Sequence, residues 1–212
     1  MNPKPILLIA LFLFTQFTFS QERQTEKPSK ATLGINLGGS LSKFRGNHES
    51  ERYSAKTGFL IGVNFEYALG KNTALKTNIN YESRTYGIAI YIQDIGIGVE
   101  PGWRDDADFK MEYITVPVLF KYSFGKKQQF FVNAGPFASF LTSKTSYKSP
   151  NLGIAAGVGT QFKVGKGTLV FEVRNNLGLT DYLGKLKDDG YDINHDLRSN
   201  SLNLIAAWNF DL

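Results

Sequence analysis

The stretch Gly58-Phe59-Leu60-Ile61-Gly62-Val63-Asn64-Phe65-Glu66-Tyr67-Ala68-Leu69 decides the fold. Phe59, Ile61, Val63, Phe65, Tyr67 and Leu69 share one parity; Gly58, Leu60, Gly62, Asn64, Glu66 and Ala68 share the other. Successive strand side chains point to opposite faces, so residues 58–69 form a strand with one apolar face and one small or polar face. No stretch after residue 31 places its apolar residues at helical spacing.

Seven further segments alternate in the same way, over 32–42, 73–86, 111–124, 129–142, 152–164, 168–180 and 200–212. The segment 111–124 places Ile114, Val116, Val118, Phe120, Tyr122 and Phe124 on one face. Soluble strands cluster near about 5–6 residues, whereas a tilted membrane-crossing strand needs about 9–11. Segments of 11–14 residues therefore favour the membrane. Three connections are tight and contain glycine: Gly70-Lys71-Asn72, Gly125-Lys126-Lys127-Gln128 and Gly165-Lys166-Gly167. The other four are long, at about 43–57, 87–110, 143–151 and 181–199, and they alternate strictly with the short ones. An eight-stranded up-and-down barrel sorts its loops this way, and bacterial outer-membrane barrels have short periplasmic turns and longer extracellular loops. The fold expected is all-β, an eight-stranded antiparallel up-and-down transmembrane β-barrel.

The second face supports that reading. Glu66, Lys76, Glu82, Arg84, Lys121, Lys163, Glu172, Arg174 and Asp211 all lie on the parity opposite the apolar one. Five are positive and four negative. Unpaired buried charge is very costly, so the balance suits a closed lumen of paired charges behind a lipid-facing wall. Tyr67, Tyr122, Phe124, Phe162, Trp208 and Phe210 lie near the short-turn ends of their strands, where interfacial girdles form. Pro117 and Pro136 sit inside strands, and a closed barrel has no edge for them, so bulges or breaks in the ladder are expected. Asn175 is a polar exception on the lipid face.

Residues 1–20, MNPKPILLIALFLFTQFTFS, have a basic Lys4, an apolar run from Ile6 to Phe14 and a small residue, Ser20, before a polar stretch. That is the layout of a secretory signal peptide, implying Sec-type export. Residues 21–31 read as a polar periplasmic leader and 32–212 as the barrel domain. The chain of 212 residues has no cysteine, which excludes disulfides, thiolate metal sites and a lipid-bearing N-terminal cysteine. Its net charge of +5 falls to +4 without residues 1–20, and its lysines are scattered over turns, lumen and loops. Nucleic-acid binding requires a basic face, so it is not expected.

The C-terminal alternation Leu202, Leu204, Ala206, Trp208, Phe210, Leu212 resembles the signal by which outer-membrane barrels are recognised for assembly, with Leu212 where a terminal Phe is more usual. The segments EYITVPVLFKYSFG (112–125), FFVNAGPFASFL (130–141) and LGIAAGVGTQFKVG (152–165) resemble the PorT-type outer-membrane β-barrel domain family of Bacteroidota. The resemblance covers about 32–212 and implies the barrel fold and an outer-membrane location. The name-giving member is linked to export of secreted proteases, but no functional residue transfers with the resemblance.

Chemistry is sparse. His48 and His195 lie in long loops; Ser42, Ser50 and Asp196 are near them in sequence, but no spacing defines a catalytic triad. Asp192, Asn194 and Asp196 alternate like calcium ligands, but Leu197 stands where the loop's glycine belongs and Asn203 where its bidentate Glu belongs. Asp105, Asp106 and Asp108 form a second acidic loop patch. GVGTQFKVGKG is glycine-rich but lies in a strand pair, not at the strand–helix junction a phosphate loop needs. No catalytic residue, metal site or cofactor is expected.

The function expected is a small closed barrel with a structural or interaction role through its extracellular loops, not a general porin, because eight strands leave room only for side chains. The alternatives are an accessory component of an outer-membrane secretion or uptake complex, a lipid-modifying barrel enzyme, or a soluble periplasmic ligand-binding barrel. The partners expected are outer-membrane lipid, the barrel-assembly machinery and a protein met by the long loops, with the barrel itself monomeric.

Overall fold

The computed structural model describes residues 30–46, 53–92, 102–125, 129–142, 150–181, 187–188, 191–192 and 197–212. The strands are β1 (Ala31–Gly46), β2 (Tyr53–Ala68), β3 (Thr73–Ile92), β4 (Gly102–Phe124), β5 (Gln129–Leu141), β6 (Asn151–Val164), β7 (Gly167–Gly178), β8 (Lys187–Asp188), β9 (Tyr191–Asp192) and β10 (Leu197–Asp211). Eight of them close an antiparallel barrel in the order β1-β10-β7-β6-β5-β4-β3-β2, and β8 and β9 pair separately as a small hairpin. Closure joins the first strand to the last, with Thr32 opposite Asp211 and Leu41 opposite Leu202. The tight turns hold the expected glycines: Gly125 has φ 104° and Gly165 φ 59°, a region that Cβ-bearing residues rarely adopt.

The apolar parity faces outward. Leu33, Ile35 and Leu37 on β1, Phe59 to Tyr67 on β2, Phe120 to Phe124 on β4 and Leu202, Leu204 and Phe210 on β10 are exposed. The opposite parity is buried, including Asn36, Asn64, Asn78, Asn80, Asn133, Asn176 and Asn203. Such an arrangement inverts a soluble protein and matches a barrel whose outer wall faces lipid and whose inner wall is polar.

The structure corrects the sequence reading at one loop and fills it in at two further points. β3 and β4 run past residue 86 and begin before residue 111, so the expected loop 87–110 is largely a hairpin, and Asp105, Asp106 and Asp108 lie on a strand instead of a loop. A register shift between Ile88 and Ala89 interrupts the alternation that would have revealed it. Of the bulges or breaks expected at the prolines, the structure shows breaks. Pairing of β3 with β4 lapses between Thr77/Val118 and Asn80/Thr115, and pairing of β4 with β5 between Pro117/Phe137 and Phe120/Ala134, with the register kept across both gaps. Each proline lacks the N–H its ladder position needs, and Thr77 Oγ1 donates to the Pro117 carbonyl at 2.9 Å within the first gap. Asn175, the polar exception, donates to Asn200 Oδ1 at 2.8 Å on the neighbouring strand, so two outward amides satisfy one another.

Candidate functional site

The lumen is the site the sequence points to, and it is built in layers from the short-turn mouth upward. The mouth is a polar funnel of about 230 Å³, lined among others by Thr73, Gln129, Asn209 and Asp211. Lys163 Nζ donates to Asp211 Oδ2 at 2.5 Å here. Both side chains are open to solvent, because each lies within one residue of its strand's end. These two members of the expected lumen network therefore belong to the rim, not the interior.

The remaining seven charges are inside and paired. Lys121 on β4 donates to both carboxylate oxygens of Glu66 on β2, at 2.9 and 2.7 Å, and to Gln161 Oε1 at 2.6 Å. Lys76 on β3 donates to Glu172 Oε2 on β7 at 2.5 Å. Glu172 Oε1 accepts from Asn133 at 3.0 Å and lies 3.8 Å from Arg174 Nη1, which in turn donates to Asn78 Oδ1 at 3.2 Å. β3 and β7 stand four steps apart around the ring, so the Lys76–Glu172 and Arg174–Asn78 contacts cross the full diameter. Higher up, Arg84 Nε donates to Glu82 Oε2 at 2.9 Å, and its Nη2 reaches the same oxygen. Thr115 and Ser139 share a hydrogen bond of 2.8 Å beside it.

Aromatic rings fill the spaces between these charges, which parity analysis had not singled out. Phe131 lies under two ammonium groups, Lys121 Nζ at 4.5 Å and Lys76 Nζ at 5.4 Å from its ring centre. The Arg84 guanidinium sits 4.7 Å over the Tyr113 ring. Cations over ring faces are attracted by the ring quadrupole, most strongly when desolvated. From Tyr113 upward an apolar cluster packs inside the barrel: Phe44 stacks on Tyr86 at 4.0 Å, and Met111 and Leu197 pack with them, with Phe109 and Tyr53 at the edge. Tyr86 shares the parity of Lys76, Glu82 and Arg84 on β3, Tyr113 that of Lys121 on β4, and Phe44 and Phe131 that of the buried Ser42 and Asn133 on their own strands, which is the signal that could have found them.

The six residues of the C-terminal ladder, Leu202, Leu204, Ala206, Trp208, Phe210 and Leu212, all follow the outward parity at the end of β10. Trp208 and Phe210 meet edge to face at 6.4 Å, and Tyr122, Phe124 and Phe130 form a second run of contacts at 6.5 and 6.1 Å near the same mouth. Ser42 is buried in the lumen, while His48, Ser50, Asn194, His195 and Asp196 lie outside the described residues. Among the described residues no group of three or more His, Cys, Asp or Glu side chains is placed to hold a metal ion.

Known proteins agree with this architecture. The family model described as outer membrane protein beta-barrel domain matches residues 19–184. Among solved structures the chain is similar to Neisserial surface protein A, with TM-score 0.52 and 13% identity over 88% of this chain and all of that one. It also aligns with the N-terminal β-barrel domain of Pseudomonas aeruginosa OprF (TM-score 0.42, 12% identity, 87% of this chain and 100% of that one). A third is Ail of Yersinia pestis in complex with the heparin analogue sucrose octasulfate (TM-score 0.41, 12% identity, 85% and 99%). At such identities the likeness to the Neisserial protein is one of fold. No curated protein sequence matches the chain.

Proposed function

The chain belongs to the outer membrane protein β-barrel domain family, and from that premise we propose a closed, non-conducting barrel whose role is structural or one of interaction and is exercised at its long-loop end. One observation carries the reading: buried side chains meet inside the lumen at three successive heights. Phe131 lies against Lys121 and Lys76, Arg84 lies on Tyr113, and Phe44 stacks on Tyr86. Eight strands leave room for little besides side chains, so rings and cations meeting there support a filled lumen. The wall anchors the protein in the outer membrane, and the connections at its outer end are what a partner meets.

The finer assignments belong to the same proposal. The resemblance of 112–125, 130–141 and 152–165 supports the PorT-type branch, residues 1–20 support Sec-type export, and the outward ladder on β10 supports handling by the barrel-assembly machinery. The test is conductance of the chain purified from outer membranes and reconstituted into planar bilayers. The expected record shows no stable open level. A steady, resolvable channel current from heat-modifiable, folded protein refutes the closed-barrel reading.

A further inference from the structure

Three lysines that are far apart in sequence are gathered by the fold. Lys30 precedes β1, Lys71 lies in the turn between β2 and β3, and Lys166 lies in the turn between β6 and β7, so all three stand at the short-turn end of the barrel. All three are exposed. The side-chain carboxylates described at this mouth are engaged elsewhere, Asp211 with Lys163 at 2.5 Å and Glu66 with Lys121 at 2.7 Å. Lys30, Lys71 and Lys166 therefore have no side-chain counter-ion among the described residues. The outer end differs, since Lys56 has Asp108 at 3.1 Å and Lys110 has Glu112 at 3.7 Å.

The turn lysines follow closely on the apolar wall. Lys71 is two positions beyond the outward Leu69, and Lys166 is two beyond the outward Val164. At about 3.4 Å per residue and a tilt of about 40°, two positions rise about 5 Å along the membrane normal. Their ammonium groups are thus held at headgroup depth, level with an aromatic girdle. Trp208 marks that level: a Cβ on Gly167, the residue after Lys166, would stand 2.6 Å from its indole ring, so the indole covers the turn. Phe210 meets Trp208 edge to face, and Phe162 meets Phe171 in the same way, both at 6.4 Å. An acidic protein or glycan would need cations standing clear of the headgroups, and turns this short do not carry Lys71 and Lys166 that far.

We propose that Lys30, Lys71 and Lys166 form a collar that binds the phosphates of anionic phospholipids in the periplasmic leaflet. The acyl chains lie on the exposed Leu33, Phe171 and Phe210 on one side and on Leu69 and Leu75 on the other. Lysine is a compact point charge on a flexible stem, which suits a mobile headgroup better than a fixed fork. An ammonium without a counter-ion gains most from a lipid with net negative charge, so zwitterionic lipids are disfavoured at the collar. This surface lies at the end opposite the long loops and is independent of their role.

The test uses Trp208 as reporter in the full chain carrying Trp103→Phe, reconstituted into phosphatidylcholine vesicles. Increasing fractions of brominated phosphatidylglycerol, or of brominated phosphatidylcholine, are added, and quenching gives the relative affinity of the two lipids beside Trp208. The expected preference for phosphatidylglycerol is about fivefold, the contribution of one interfacial lysine. Lys30→Gln/Lys166→Gln should bring the two lipids to equality, and Lys110→Gln should leave the preference unchanged. Millimolar glycerol 3-phosphate, the headgroup phosphate without its chains, should not reduce it. If the double variant loses heat-modifiable migration, salt decides on the parent: at about 1 M, where the screening length is about 3 Å, the preference should vanish. Equal quenching by the two lipids in the parent, a preference that survives the double substitution or high salt, or its removal by glycerol 3-phosphate each overturns the proposal.

Discussion

Replacing Glu172 by Gln tests whether the lumen behaves as an interior or as a wet surface. The Glu172 carboxylate faces Lys76 Nζ at 2.5 Å and Arg174 Nη1 at 3.8 Å, with all three side chains at most 4% exposed. At an effective dielectric of about 20 the gross attractions are about 7 and 4 kcal/mol. Desolvation cancels most of that, but removing one member of a buried pair strands the others and typically costs about 3–5 kcal/mol. Glu172→Gln keeps the shape and the Asn133 contact yet leaves Lys76 and Arg174 without their carboxylate. Lys121, on the same Phe131 ring, is already held by Glu66. The expected loss is about 4 kcal/mol. Adding Lys76→Met removes one stranded cation, so the double variant should recover at least about 2 kcal/mol relative to additivity. Lys163→Gln at the exposed rim should cost less than about 1 kcal/mol. Urea unfolding in lipid vesicles, followed by gel migration and tryptophan fluorescence, measures all four proteins. A Glu172→Gln loss below about 1 kcal/mol, or strict additivity with Lys76→Met, refutes the reasoning and makes the lumen a solvated surface.

Other outcomes follow from single contacts. Asn175→Leu or Asn200→Leu alone leaves one amide unpaired in lipid and should cost about 1–3 kcal/mol in the same unfolding assay, whereas the double Leu variant should match or exceed the parent. Gly135→Ala places a methyl 2.0 Å from the Val118 carbonyl, a backbone atom, and should cost about 2 kcal/mol or more; Gly39→Ala, whose nearest neighbour is 4.0 Å away, should unfold within about 0.5 kcal/mol of the parent. In a Trp103→Phe background, Trp208 fluorescence should be quenched more by lipids brominated near the headgroup than by lipids brominated near the chain end, since the residue belongs to the short-turn girdle.

The fold was legible because parity has period two and each strand keeps it for a dozen residues, as Phe59 to Leu69 show. Where a bulge resets parity, between Ile88 and Ala89, the reading lost the strand and placed Asp105, Asp106 and Asp108 in a loop. The charges of the lumen were legible as a set, since nine balanced charges on one parity admit no cheaper arrangement than pairing. Their partners were not. Lys76 meets Glu172 across 96 positions of sequence, a match set by ring order and shear, which no local pattern encodes. Lys163 and Asp211 looked like interior residues because parity reports the face and says nothing of depth. Phe131 and Tyr113 went unread for the converse reason: an aromatic on a polar face looks like noise until a cation is found over its ring.

That last pairing explains how one small barrel reconciles two demands. A lipid-facing wall spends the long apolar side chains on the outside, so the inner wall of an eight-strand ring must fill its cross-section from the other parity. Asparagine and serine line that wall, as Asn36, Ser40, Asn80 and Asn203 do, but they are too short to meet across it. Lys76 and Glu172 are long enough to join opposite walls, and Phe131 fills the volume beside them while stabilising the ammonium groups it touches. The same logic changes toward the outer mouth, where Phe44, Tyr86 and Met111 replace charge with apolar bulk. A cluster of rings there needs no counter-ions and lies beside the register shift between β3 and β4. The lumen is thus filled by different chemistry along its length, by paired charge around a ring in the middle and by rings and Met111 toward the outer mouth.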